Sequence, residues 1–170
     1  MRNALLEPVE YRIERTARGT WKSFMFPNGH TYREYTSRRR AFGMPLVHYT
    51  SGICPETGRR RVARGVFAFG RIAVGIFVFG HAAFGVFAFG QAGLGLALGM
   101  GQACCGLLAL GQLAIGGIFG AGQIATGWVA IGQLAAGHWV LAQLGLGSHV
   151  WMPGRADPAA VEFFRDLLAI

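Results

Sequence analysis

A glycine recurs about every five residues between positions 65 and 147, and the residues between successive glycines are nearly all apolar, as in GVFAF, GRIAV and GIFVF. In alternate pentads the residue after the glycine is polar, so the repeating unit is a decapeptide. The polar positions, called the polar ladder here, are Arg71, His81, Gln91, Gln102, Gln112, Gln123, Gln133 and Gln143. Self-similarity at a fixed period predicts a repeat architecture.

The composition of the pentads favours strands over helices. Glycines five residues apart scatter around an α-helix, and each costs such a helix about 1 kcal/mol relative to alanine. The residues between them include many Val, Ile and Phe, which suit strands, while glycine suits sharp corners. The repeat therefore indicates short strands separated by glycine corners.

Two six-residue units, 95–100 and 116–121, interrupt the pentads and begin 21 residues apart. Four pentads per coil would place both on one corner, which predicts an all-β fold: a right-handed parallel β-solenoid of about four coils with about 20 residues per coil. The polar ladder then forms two columns. One holds Arg71, Gln91, Gln112 and Gln133, and the other holds His81, Gln102, Gln123 and Gln143. Pentad positions two and four are predicted to face outward, and positions three and five to fill the interior.

A helical alternative stays open at this point. Residues 66–146 are long enough for three or four transmembrane helices of about 20 residues, which would make a small polytopic membrane anchor or transport-related protein. A glutamine about every ten residues would place unfavourable amides in every span. No charged loops separate the spans either.

Charge divides the chain into three segments. Residues 1–64 carry 13 of the 16 basic and 5 of the 8 acidic residues, whereas residues 72–154 carry no charged residue of either sign. We predict a basic N-terminal cap with a β-hairpin around Pro27–Gly29 (1–64), the repeat (65–150) and a C-terminal helical cap (151–170). Asp157 and Pro158 fit the N-cap and first position of that helix, and Val161, Phe164, Leu167 and Leu168 form an apolar face.

Seven arginines in the head form a predicted basic patch. They are Arg38, Arg39, Arg40, Arg59, Arg60, Arg61 and Arg64. The patch has three interpretations: a solvated surface that keeps an apolar protein soluble, a contact with anionic lipid, or a contact with nucleic acid. Nucleic acid is the weakest, since no binding motif accompanies the arginines. The start of the chain has no apolar signal segment, so we expect the head on the cytoplasmic side.

The sequence offers no catalytic constellation. The five histidines have no metal-ligand spacing, the repeat lacks paired carboxylates, and the single lysine, Lys22, is not in a phosphate-binding loop. Cys104 and Cys105 occupy apolar repeat positions, where a thiol packs as a small apolar group. Cys54 and His48 form the one conceivable thiol–base pair. We predict no enzymatic activity, no metal and no cofactor.

Three segments together resemble a bacterial family of unknown function. They are the basic segment RRRAFGMPLVHYTSG, the repeat opening ARGVFAFG and the tail DPAAVEFFR, so the resemblance covers residues 38–170. It implies no assigned activity or site. The repeat is also architecturally similar to pentapeptide-repeat β-solenoids. It departs from them in having glycine where they have a small residue followed by a polar one, and it lacks the acidic faces of their DNA-mimicking members.

The outer faces of such a solenoid would be flat, apolar and uncharged. Monomeric proteins rarely expose a large contiguous apolar patch. The sequence therefore predicts a membrane-associated structural or assembly protein that docks on a bilayer or on other subunits, including copies of itself.

Overall fold

The structure, a computed structural model, describes residues 9–169, and strands make up most of them. The strands are β1 (Arg12–Arg15), β2 (Gly19–Met25), β3 (Thr31–Ser37), β4 (Arg40–Ala41), β5 (Met44–Pro45), β6 (Val47–Ser51), β7 (Ala63–Phe69), β8 (Ile72–Met152) and β9 (Arg155–Ala156). One helix follows, α1 (Pro158–Leu168). The fold is thus mostly β with a C-terminal helix, as predicted. The helical alternative for residues 66–146 is wrong.

Two compact units divide the chain, one ending at Ala82 and the other beginning at Ala83. Unit 1 contains the predicted hairpin: β2 and β3 pair antiparallel around a turn in which the amide of Phe26 donates to the carbonyl of His30 over 2.8 Å. β1 and β6 flank this hairpin, also antiparallel. β6 then pairs parallel with β7, so the sheet is mixed. The segment boundaries at 64/65 and 150/151 stay predictions.

Parallel pairing joins residues that are ten apart. In unit 1, Gly65 lies opposite Gly75 and Phe67 opposite Phe77, with the two phenylalanine rings stacked at 5.1 Å. In unit 2 a glycine lies against the carbonyl of the glycine ten or eleven residues earlier. The examples are Gly111 on Gly101, Gly122 on Gly111, Gly132 on Gly122, Gly137 on Gly127 and Gly147 on Gly137. The predicted step of 20 or 21 residues is therefore wrong, because the neighbour is half as far along the chain.

The interior of the repeat is a file of small side chains at pentad position four. The fully or nearly fully buried members in unit 2 include Ala83, Ala88, Ala109, Ala114, Ala125, Ala130, Ala135, Val140 and Val150. Larger residues at positions three and five lie outside, such as Leu108 and Ile115, which are 42% and 48% exposed. The predicted assignment of positions three, four and five is thus wrong, whereas the glutamines at position two are exposed, as predicted. Alanine side chains are small enough to let this interior pack closely.

The two six-residue units adopt the same local geometry. In each, the first glycine (Gly95 or Gly116) packs against the carbonyl of the residue three positions later, Leu98 or Phe119. The buried file continues through Gly99 and Gly120, six residues after the previous buried position instead of five. Each unit therefore accommodates its extra residue locally, and the next buried position follows after the usual five residues. The two units lie two decapeptides apart, on equivalent pentads.

Helix α1 begins as predicted. The carboxylate of Asp157 accepts a hydrogen bond from the amide of Ala159 at 3.1 Å, and Pro158 follows it. The helix packs by Phe163, whose ring stacks on Trp139 at 4.4 Å, and by the fully buried Phe164. The predicted apolar face is partly wrong, because Leu167 and Leu168 are 51% and 44% exposed.

Candidate functional site

A buried carboxylate organises unit 1. Strand alternation points Tyr32 and Glu34 of β3 to the same side, and they are 0% and 5% exposed. Glu34 accepts three hydrogen bonds: 2.9 Å from the Tyr32 hydroxyl, 3.0 Å from His48 Nε2 on β6 and 3.1 Å from the guanidinium of Arg61. These bonds satisfy a charge that would be costly to bury alone.

Backbone geometry fixes the tautomer of His48. The amide of Arg64 donates to His48 Nδ1 over 2.8 Å, so Nδ1 has to be an acceptor. The proton of the neutral ring is then on Nε2, which donates to Glu34. His48 therefore links the start of β7 to the carboxylate of β3.

The pKa values in this cluster follow from burial and hydrogen bonding. Burial alone would raise the pKa of Glu34, but the hydrogen bonds from His48 and Tyr32 and the charge of Arg61 outweigh it and lower this pKa. Burial and the hydrogen bond to Glu34 raise the pKa of Tyr32. The pKa of Arg61 is raised: burial opposes this, but contacts with Tyr32 and Glu34 prevail. The carboxylate and guanidinium thus both stay charged across the neutral pH range.

Arg61 also lines an open cleft of about 320 Å³, which we call the basic cleft. Its lining consists of Tyr49, Thr50, Ser51, Gly52, Arg60, Arg61, Gly70, Arg71 and His81. Three arginines and a histidine thus surround one cavity, while no acidic residue of the described chain lines it. Positive side chains around a concave surface concentrate anions from solution.

The structure brings parts of both predicted sites together in this cleft. Arg60 and Arg61 come from the predicted basic patch, and Arg71 and His81 are the first two members of the polar ladder. The other five patch arginines do not line the cleft, and all five are exposed. They are Arg38, Arg39, Arg40, Arg59 and Arg64.

The remaining ladder residues lie in unit 2, and all six are exposed. They are Gln91, Gln102, Gln112, Gln123, Gln133 and Gln143. Gln123, Gln133 and Gln143 line one shallow groove of about 430 Å³, which places residues ten apart side by side. The predicted separation of the ladder into two columns does not match this arrangement, since members of both predicted columns are neighbours.

The thiol–base pair considered from the sequence is not formed. His48 bonds to Glu34 and to the amide of Arg64, whereas the sulfur of Cys54 lies 3.9 Å from the hydroxyl of Tyr11. Burial would raise the pKa of Cys54, but hydrogen bonds from Thr57 and from the backbone lower it. Cys104 is buried in the repeat, as its position predicted, and Cys105 is half-buried.

Sequence reasoning missed Glu34 and Tyr32. Their only signal was the alternation in TYREYT, which predicts a strand but does not reveal which face is buried. Within residues 9–169, no three His, Cys, Asp or Glu side chains are grouped as they would be around a metal ion. Over the same residues, no helix has both the length and the apolar character needed to cross a bilayer.

The chain was compared with protein-family models, with curated proteins and with solved structures, and none of these three comparisons gives a match.

Proposed function

We propose that the repeat winds as a right-handed parallel β-solenoid with ten residues per coil, and that the protein is a non-enzymatic structural protein that docks on a bilayer. Parallel pairing at a ten-residue step and the buried alanine file support the solenoid.

Such a coil has two unlike edges. Position two of one pentad carries the exposed glutamines. In unit 2, position two of the next pentad carries either an apolar residue or one of Gly117, His138 and Ser148. The apolar residues include Leu96, Leu107 and Trp128, which are 74%, 49% and 58% exposed. We call these three residues the apolar edge. The proposed docking surface is this edge, because Leu96 and Trp128 are among the most exposed large apolar side chains of unit 2.

The observation that carries the proposal is the exposure of these large apolar side chains in a stretch without a single formal charge. Burying a leucine or tryptophan side chain gains roughly 1.5–3 kcal/mol. The net charge of +8 complements anionic headgroups, with about 1 kcal/mol per basic residue near the surface. We place the protein on the cytoplasmic side of a membrane.

Vesicle flotation tests the proposal. The variant L96Q/L107Q/W128Q should lose most binding to vesicles of phosphatidylglycerol and phosphatidylcholine, because the apolar edge becomes polar while the buried file is untouched. The matched control, L94Q/I115Q/L134Q, alters three residues of polar pentads that are 53%, 48% and 42% exposed. Equal binding by wild type and L96Q/L107Q/W128Q would contradict the proposal.

A second candidate function is assembly with copies of the same chain. The observation that favours it is a second set of exposed apolar residues, Leu94, Ile115 and Leu134, that belong to the glutamine-bearing pentads. Exposed apolar side chains of this size suit packing of one repeat against another. Sedimentation velocity distinguishes the two functions: L94Q/I115Q/L134Q should dissociate an oligomer if this surface holds it together, and L96Q/L107Q/W128Q should not.

Cysteine cross-linking tests the ten-residue coil. Residues one coil apart should lie about 4.8 Å from each other, within the Cα distance that a disulfide spans, and residues two coils apart should not. In a chain with its native cysteines replaced by serine, Q123C/Q133C should oxidise to a disulfide and Q112C/Q133C should stay reduced. Cross-linking of Q112C/Q133C alone would restore the coil of about 20 residues.

A further inference from the structure

We propose that the basic cleft binds a phosphoryl group. The inference rests on the cleft in unit 1 and is independent of the apolar edge. It concerns three arginines, Arg60, Arg61 and Arg71, which line a cavity of about 320 Å³.

The charge of the cleft is not balanced within the described chain. Arg61 forms an ion pair with Glu34 at 3.1 Å, so its charge already has a counterion. Arg60 and Arg71 form no ion pair with any described residue and are exposed. Two uncompensated positive charges beside one cavity match the double negative charge of a phosphate monoester better than the single charge of a carboxylate.

Arg61 is preorganised for such a ligand. Glu34 holds one guanidinium nitrogen, and Glu34 is itself fixed by Tyr32 and His48. A guanidinium has five N–H donors in a planar fork, and the Arg61 side chain is 49% exposed, so donors that Glu34 and Tyr32 do not use can contact a ligand. A fixed fork loses less side-chain entropy on binding than a free one, and it matches the oxygens of a phosphoryl group.

The neighbouring backbone keeps the cleft open. A Cβ at Gly70 would come within 2.6 Å of Thr50 Oγ1, and that hydroxyl donates to the carbonyl of Arg61 over 3.1 Å. Gly52 has φ of +86°, a conformation that favours glycine. Ser51 and His81 add an exposed hydroxyl and an imidazole to the lining. The cleft therefore combines charged forks with smaller polar groups, as phosphoryl sites do.

The test is a titration of the full-length protein with inorganic phosphate at constant ionic strength, in which backbone amide chemical shifts are recorded by NMR at each concentration. We expect saturable shifts at residues 49–52, 60–61 and 70–71. R71A should weaken binding about tenfold, since one charge-assisted contact is lost. R59A is the matched control: it removes the same charge from an exposed arginine of the same run that does not line the cleft, and it should change affinity less than twofold. Equal weakening by R59A and R71A, or shifts that never saturate, would overturn the proposal.

Two further arms identify the source of the phosphoryl group. If R71A lowers flotation with vesicles of phosphatidic acid, whose headgroup is a phosphate monoester, more than R59A does, the ligand is a lipid headgroup. If R71A weakens only the binding of inorganic phosphate and glycerol 3-phosphate, the ligand is a free phosphate compound. The variant L96Q/L107Q/W128Q keeps the cleft, so it should bind inorganic phosphate like wild type even where it fails to float. Failure of bilayer docking is thereby separated from failure of the phosphoryl site.

Discussion

The two compact units are stabilised by different kinds of interaction. In unit 1 a buried carboxylate, Glu34, joins β3 to β6 and to Arg61 by specific hydrogen bonds. All the buried polar side chains of the described chain lie in this unit: Glu34, Ser37, His48 and Thr50. In unit 2 the buried side chains belong to small or apolar residues, above all alanine.

This difference determines what each unit tolerates. In unit 1 a single substitution can leave several buried polar groups without a partner, so removal of a group is the costly change. In unit 2 each small buried side chain contributes little by itself, but backbone and side chains leave no space for added atoms. Addition should therefore destabilise unit 2, and removal should destabilise unit 1.

The largest effect on stability should come from adding a methyl group to a glycine that lies against the carbonyl of the glycine ten or eleven residues earlier. In Gly122→Ala the new Cβ would meet the carbonyl oxygen of Gly111, a backbone atom that cannot rotate away. We expect a loss of about 4 kcal/mol in the free energy of unfolding, measured by urea denaturation. Gly117→Ala is the control, because its Cβ would only touch the Leu107 side chain at 3.5 Å. Equal losses in the two variants would contradict tight stacking of the glycines.

Enlarging the buried file should cost somewhat less. Ala109 is 0% exposed, and Ala109→Leu should destabilise the protein by about 2–3 kcal/mol because the interior has to expand. Ala103→Leu introduces the same atoms at an exposed position of a polar pentad and should change stability by less than about 0.5 kcal/mol. Hydrogen exchange followed by mass spectrometry should show faster exchange in unit 2 for Ala109→Leu alone.

Removing the charge of Glu34 tests whether the loss of a buried polar group destabilises unit 1. Glu34→Gln keeps the size of the side chain but leaves Arg61 without its counterion, which should cost about 2 kcal/mol. Glu14→Gln is the control, since its ion pair with Arg12 is exposed to solvent. We expect that control to lose less than about 0.5 kcal/mol. In Glu34→Gln, faster hydrogen exchange should appear in residues 31–37 and 47–51. A similar acceleration in Glu14→Gln would contradict the stabilisation of unit 1 by Glu34.

The smallest expected effect is a difference in acid sensitivity between the units. The folded pKa of Glu34 is lowered, so its contribution to stability is complete above the unfolded value of about 4.3 and is lost as pH falls through the folded pKa. Hydrogen exchange corrected for intrinsic rates should therefore show that unit 1 loses stability below about pH 4.3, at a higher pH than unit 2 does. Glu34→Gln should abolish that difference.

The sequence was a better guide to the repeat than to the head. Glycine and glutamine periodicity predicted β structure and exposed glutamines without any knowledge of distant contacts. It did not reveal the step between paired residues, because 10 and 20 residues are both multiples of the pentad. The small size of the residues at position four, mostly alanine, was the physical clue that favours a step of ten. The burial of Glu34 depends on the pairing of β3 with β6 and of β6 with β7, and no local pattern specifies those pairings.

The matching geometry of residues 95–100 and 116–121 has a consequence for how such a chain can change in length. An extra residue is accommodated locally and the next buried position resumes its place, so an insertion in one repeat does not propagate to the following ones. Whole decapeptides can be gained or lost by the same logic. In the proposed ten-residue coil, duplicating thirty nucleotides of the gene would therefore lengthen the repeat by one coil, or about 4.8 Å.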